Sequence, residues 1–203
     1  MADELLARMR IREVIENWVL WRDTAIWDRL ATCWHADGRM NTVWFQGKAS
    51  DFIANAAGSR HRGGRSGHVL GGTSVDVAGR RAIAESKVGI HIRGMVEGVE
   101  CDALSTSRFY DFFEERDGRW AIVLRQVIYE KDRIDPVDPA APPPLLDKTI
   151  LADLPEGFRH LGYLQVRAGW NPKRDTPTLG SAETARLYAA GKAWLAGQTL
   201  AWG

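Results

Sequence analysis

Between residues 4 and 20 the apolar positions Leu5, Met9, Ile11, Ile15, Trp18 and Val19 recur near helical spacing, which predicts an amphipathic helix. Asp23-Thr24 reads as its break. A shorter stripe of Trp27, Leu30, Ala31 and Trp34 predicts a second helix over residues 26–34. GRMNTVWF, residues 38–45, has the composition of a first strand. KASDFIANAA, residues 48–57, predicts a third helix with Ser50 or Asp51 near its start. The stretch GSRHRGGRSG, residues 58–67, predicts a mobile, basic loop. From His68 the pattern turns to strand: HVLGGTSVDV, a turn at Gly79-Arg80, RAIAESKVGIHIRGMV, ALSTSRFYDFFEER, and RWAIVLRQVIYEKDRI. Asp117-Gly118 between the last two runs is a strong hairpin signal. Helices first and long antiparallel strands afterwards make an α+β fold, with helices packed on one face of a curved sheet.

The chain changes character at Asp135, where PVDPAAPPP forms a proline-rich, extended linker. Residues 1–135 therefore read as one domain and residues 136–203 as a linker and C-terminal extension, with a last helix over residues 181–195. The extension is too short for a core of its own. It is expected to wrap back on the domain, cover a pocket mouth or reach a neighbouring subunit. No internal repeat is visible.

Composition narrows the function classes. Lys+Arg is 27 and Asp+Glu is 26, for a net charge of +1, without the concentrated basic face that nucleic acid requires. Nothing points to an anionic membrane surface, and no apolar run is long enough to span a bilayer. The opening MADELLARMRIREVIE is charged and helical in period, unlike a signal peptide, so the expected compartment is the cytoplasm. Cys33 and Cys101 are expected to be reduced thiols, and no Cys/His spacing suggests a metal site. Nine tryptophans exceed what core packing alone needs and suggest an aromatic-lined cavity.

With this order of elements, the chain resembles the SnoaL-like branch of the NTF2-like superfamily, and within it the scytalone dehydratases. RDTAIWDRLATC resembles their early acidic segment, SGHVLGG their histidine-bearing strand start, GIHIR the place of a second histidine, and FFEERDGRWAI their late hairpin. The resemblance covers the first two thirds of the chain and implies a cone-shaped α+β fold. It places Asp23 at the family's pocket aspartate and His68 at the proposed proton abstractor, a position shared with hexachlorocyclohexane dehydrochlorinase. His91 falls at the second histidine and Ser107 at a polar pocket position. Arg22 and Thr42 stand where the dehydratases carry tyrosines, which argues against scytalone itself as substrate. The C-terminal extension is also a departure. Some extended relatives are similar to bacterial lyases of lignin-derived aromatics, including formaldehyde-releasing ones. The resemblance further implies a homo-oligomer, a trimer first and a dimer next, which would cover the apolar faces of the long strands.

The chemistry expected of these residues is elimination. A carboxylate on one imidazole nitrogen fixes the tautomer and steadies the imidazolium formed on proton uptake. Asp23 is assigned that role toward the base His68, with His91 as acid for the leaving group and neither cofactor nor metal required. Trp21, Thr42, Trp44, Ser107, Arg125 and Tyr129 are the candidate substrate-binding residues. Arg125, Val127 and Tyr129 share a strand face, from which Arg125 could stabilise a developing oxyanion. His91 shares a face with Lys87, Gly89 and Arg93, and Ile90 and Ile92 share the other; parity leaves open which meets the pocket. The same dyad would serve an isomerase, because both reactions begin with abstraction at carbon. The fold would also suit a non-catalytic binder of small molecules or the small subunit of an oxygenase. Asp23 could equally serve as a plain helix cap.

Overall fold

The structure, a computed structural model, describes residues 2–61 and 65–200. Helix α1 spans Ala2–Thr24 and buries Ala7, Ile11, Ile15 and Trp18, which three- and four-residue spacings place on one face. It runs further than its apolar pattern. The Thr24 hydroxyl donates to the Leu20 carbonyl at 2.6 Å, and Ala25 ends the helix at φ 61°. Asp23 thus lies in the last turn of α1 and not beyond it. Helix α2 is only Trp27–Ala31, because Trp34 already pairs with Ile122 as the start of β1, Trp34–Asn41. The first strand is shifted from the expected 38–45. It stops at Asn41, where the Thr42 hydroxyl accepts the N–H groups of Trp44 and Phe45 at 3.2 and 3.0 Å and turns the chain into β2, Gln46–Lys48.

Helix α3, Ala49–His61, takes the first part of the expected basic loop, and β3, Arg65–Ala78, takes the last part. Residues 62–64 of that loop lie outside the described residues. Strands β4 (Arg81–Val96), β5 (Val99–Arg116) and β6 (Arg119–Pro136) complete a six-stranded sheet in the order β2-β1-β6-β5-β4-β3. The meander from β3 to β6 is antiparallel, and Asp117 and Gly118 turn its last hairpin with φ of 51° and 75°, as a tight two-residue turn requires. The sheet as a whole is mixed. β1 lies parallel to β6, which the long connection between them allows.

The C-terminal segment adds α4 (Lys148–Ala152), a 3-10 turn at Glu156–Phe158, α5 (Arg159–Arg167) and α6 (Ala182–Leu195). β1 pairs with β6 only as far as Gln126. Beyond it the open edge is taken by this segment: the Tyr129 N–H donates to the Pro177 carbonyl at 3.0 Å and the Leu179 N–H to the Tyr129 carbonyl at 2.9 Å. An unpaired edge is thereby closed within the chain. Helix α6, capped by the Ser181 hydroxyl on the Thr184 N–H, lies on the outer face of the sheet. It packs with Ile83, Tyr110, Phe112, Leu124 and Ile128, so apolar strand surface that suggested a neighbouring subunit is covered by the chain itself. Trp194 anchors it, donating its indole N–H to the Phe113 carbonyl at 3.2 Å under the Arg81 guanidinium at 3.9 Å. Among the described residues no helix is long and apolar enough to cross a membrane.

At Gly191 of α6 an added Cβ would lie 2.0 Å from the Tyr110 hydroxyl. Gly191→Ala is expected to lower the unfolding free energy by about 1–3 kcal/mol through overpacking, measured by urea titration. An unchanged midpoint would show that α6 is not seated on the sheet this way.

Candidate active site

The start of β3 passes the C-terminal turn of α1, and there one carboxylate takes two hydrogen bonds from one residue. The His68 backbone N–H donates to Asp23 Oδ2 at 2.6 Å, and Nδ1 of the same residue contacts Asp23 Oδ1 at 2.7 Å. An ionised carboxylate only accepts, so Nδ1 carries the proton and Nε2 keeps its lone pair. Nε2 forms no hydrogen bond among the described residues. The imidazole is 9% exposed, edge-on to Trp18 at 5.4 Å between ring centroids. Burial pushes the His68 pKa below the ordinary 6.5, and the hydrogen bond and charge of Asp23 offset only part of that. Burial acts to raise Asp23, but the hydrogen bonds from His68 outweigh it and hold the carboxyl below its usual range. The resting pair at neutral pH is therefore neutral imidazole and carboxylate, the state a general base needs.

His68 lines a cavity of about 190 Å³. Trp18 and Arg22 of α1, Phe52 and Ala56 of α3, and Met40, Thr42 and Trp44 form one side. Ile90, Ile92, Phe109, Val127 and Tyr129 of the sheet form another. Leu161, Gln165 and Trp170 of the C-terminal segment complete the wall. Among the described residues, no three His, Cys, Asp or Glu gather as a metal site would.

A family model for the SnoaL-like domain matches residues 3–126. The chain belongs to the SnoaL-like family. Two curated relatives from Fusarium vanettenii extend the likeness along nearly the whole chain. A PEP2-like protein is 31% identical over 97% of this chain and 88% of its own length. Pea pathogenicity protein 2 is 32% identical over 96% and 88%. Among solved structures, a type-2 hexachlorocyclohexane dehydrochlorinase superposes with a TM-score of 0.60 at 18% identity, covering 70% of this chain and 97% of that one. A candidate scytalone dehydratase of Novosphingobium aromaticivorans does so with a TM-score of 0.54 at 18% identity, covering 71% and 97%. At such identity these two structures establish the NTF2-like fold.

In this SnoaL-like chain the expected site residues separate into three groups. His68, Thr42, Trp44 and Tyr129 line the cavity, and Asp23 reaches it only through its bonds to His68; two of the hydroxyls are engaged, Thr42 in its turn and Tyr129 accepting the Val43 N–H at 3.2 Å. Ser107 and Arg125 face inward but lie behind the wall. Ser107 is fully buried beside Ser105, the hydroxyls 3.0 Å apart. Arg125 makes a bidentate pair with Asp111, both bonds 2.7 Å and both side chains fully buried. Its guanidinium lies 4.4 Å from the Trp18 ring and 4.0 Å from the Phe109 ring. Two aromatic rings thus stand between it and the cavity, and it steadies the wall instead of meeting an oxyanion. His91 and Trp21 are outside. His91 is exposed and folds over Gly89 on the outer face, because Ile90 and Ile92 take the inward parity of β4. Trp21 packs against Arg29 on the surface of α1, 5.9 Å away. Arg22 lines the cavity at the position where the resemblance places a dehydratase tyrosine; sequence reasoning missed Trp18 as its wall partner, for which the spacing of four residues was the available signal. It also missed Gln165, which no motif marks.

A second carboxylate–imidazole pair fixes the C-terminal wall. Asp132 of β6 accepts from His160 Nδ1 at 2.8 Å and from the Leu161 N–H at 2.7 Å, capping the first turn of α5. His160 is 31% exposed, and here the hydrogen bond of Asp132 wins over burial and raises the pKa. The two histidines should therefore act oppositely on stability. His68, lowered in the fold, contributes above 6.5, and its contribution is lost as pH falls through its folded value. His160, raised in the fold, contributes below 6.5, and its contribution is lost as pH rises through its folded value. Between about pH 5.5 and about pH 8.5, urea unfolding should show the cost of His160→Gln shrinking and that of His68→Gln growing. Both costs moving the same way would contradict the assignment.

Proposed function

We propose that the chain is a cofactor-independent lyase that eliminates a small group from a small cyclic or aromatic substrate, with His68 as base and Asp23 as its orienting partner. The observation that carries this reading is the buried His68 in the wall of a largely apolar cavity, its Nδ1 held by Asp23 and its Nε2 without a hydrogen bond among the described residues. A protein that only bound a ligand would have no need to orient an imidazole in this way. Nε2 takes a proton from carbon, the electron pair forms the new double bond, and the bond to the leaving oxygen on the neighbouring carbon breaks. The imidazolium formed is stabilised by Asp23. With His91 outside the cavity, that imidazolium is the strongest acid in the wall. It returns its proton to the departing oxygen, so one histidine serves as base and then as acid. Burial keeps the Tyr129 phenol protonated, so it adds no competing base. Two proteins that share the fold bear the names of eliminations, a dehydrochlorinase and a candidate dehydratase, and lend support. Release of formaldehyde from a hydroxymethyl-bearing ring would use the same base on the hydroxyl proton: the new C=O forms as the C–C bond to the ring breaks, its electron pair stays on the ring carbon, and the imidazolium returns the proton there.

The test is turnover of a panel of hydroxylated aromatic and alicyclic compounds, followed by mass spectrometry. Wild type should release the mass of water or of formaldehyde from at least one compound, and His68→Ala should slow this by roughly 10²–10⁴-fold. A product of unchanged mass would make the chain an isomerase. Turnover undiminished in His68→Ala would remove the dyad from the mechanism.

A further inference from the structure

We propose that Gln165 selects the ligand of this cavity, and that the ligand is a single six-membered carbocycle carrying a hydroxyl group. That this ligand is a substrate rests on the catalytic reading of Asp23 and His68; that it binds does not.

Size sets the ring. An apolar protein cavity of about 150 Å³ holds benzene, so about 190 Å³ admits one six-membered ring with a small substituent or two. The wall is aromatic and aliphatic over most of its area, as a carbocycle requires. The hydroxyl follows from what the wall leaves unpaired. The Gln165 side-chain amide makes no hydrogen bond to any described residue, and its Oε1 is buried. The indole N–H of Trp18, in the same wall, is likewise buried and without a partner among the described residues. A site with unpaired buried polar atoms rejects ligands that cannot satisfy them. A ligand hydroxyl has both a donor for Gln165 Oε1 and acceptor lone pairs for an N–H such as that of Trp18. The Thr42 hydroxyl is engaged in its turn and the Tyr129 oxygen accepts the Val43 N–H, while Ser66 also lines the wall.

Gln165 is held firmly enough to discriminate. Asp132 anchors the first turn of α5 through His160 and Leu161. At the other end Gly169, at φ 83°, lets the Trp170 N–H return to the Gln165 carbonyl at 2.9 Å. The Trp170 ring then meets Trp44 edge-on at 5.4 Å. The family model ends at residue 126, so this determinant comes from beyond the shared domain.

Phenol and toluene differ by a hydroxyl in place of a methyl at equal size, and calorimetric titration of the full chain with each tests the proposal. Wild type should bind phenol about tenfold more tightly than toluene. Gln165→Leu should abolish the preference while leaving toluene binding intact, with Gln165→Met in its place if the leucine variant does not fold. Gln165→Glu, which keeps an acceptor, should retain it. Equal binding of the two probes by wild type would overturn the proposal, as would failure of both to bind at millimolar concentration. A preference that survives in Gln165→Leu and disappears in His68→Ala would overturn it too, by putting the hydroxyl on the imidazole. A preference that follows Gln165, in a protein that turns over no compound, would overturn the lyase reading and leave this one standing.

Discussion

The contact between Asp23 and His68 joins the last turn of α1 to the first residues of β3, and the geometry of the cavity depends on it. Asp23 is available only because α1 continues to Thr24. His68 is presented only because β3 is long enough to reach back past that turn, with its own backbone N–H bound to the carboxylate that also binds its ring. Two bonds from one residue to one carboxylate fix the ring's position and its tautomer together. The wall around His68 is largely aromatic and aliphatic, and burial, with a smaller contribution from the Arg22 charge, lowers the His68 pKa despite the adjacent carboxylate. An imidazole that is neutral at rest, and a carboxylate placed to favour its protonated form, result from the same packing, as the proposed base requires.

The pair formed by Asp132 and His160 has nearly the same local geometry and does a different job. A carboxylate accepts from a ring nitrogen and from a backbone N–H in both. His160 is about a third exposed, so its carboxylate decides its pKa and the histidine leans toward its charged form. That pair holds α5 against β6, and α5 in turn carries Leu161 and Gln165 to the cavity. One pattern thus leaves a neutral imidazole at the buried cavity and a charge-favouring one at the more exposed attachment. Exposure, not hydrogen-bond geometry, separates them.

The meander of long strands and the Asp117-Gly118 hairpin were legible in the sequence, because alternation and turn chemistry are local signals. Asp23 and His68 were legible only through resemblance, since 45 residues separate them and no periodicity links a helix end to a strand start. His91 misled because both faces of the sheet bury apolar residues, against the helices within and against α6 outside, although the outer face is exposed at His91 itself. Alternation along β4 therefore gave no direction, and only the cavity shows Ile90 and Ile92 pointing inward. Arg125 had the right parity but lies one layer too deep, drawn to Asp111 behind Trp18 and Phe109. The parallel pairing of β1 with β6 and the return of residues 177–179 to Tyr129 are long-range contacts, invisible to any window of sequence.

The bond to Asp23 requires that His68 rest as a neutral imidazole with its proton on Nδ1. Nitrogen-15 NMR of the imidazole in the intact protein measures this directly. At neutral pH a protonated Nδ1 and a bare Nε2 are expected, with a second proton taken up only below the ordinary value of 6.5. A proton on Nε2, or a doubly protonated ring at neutral pH, would contradict it.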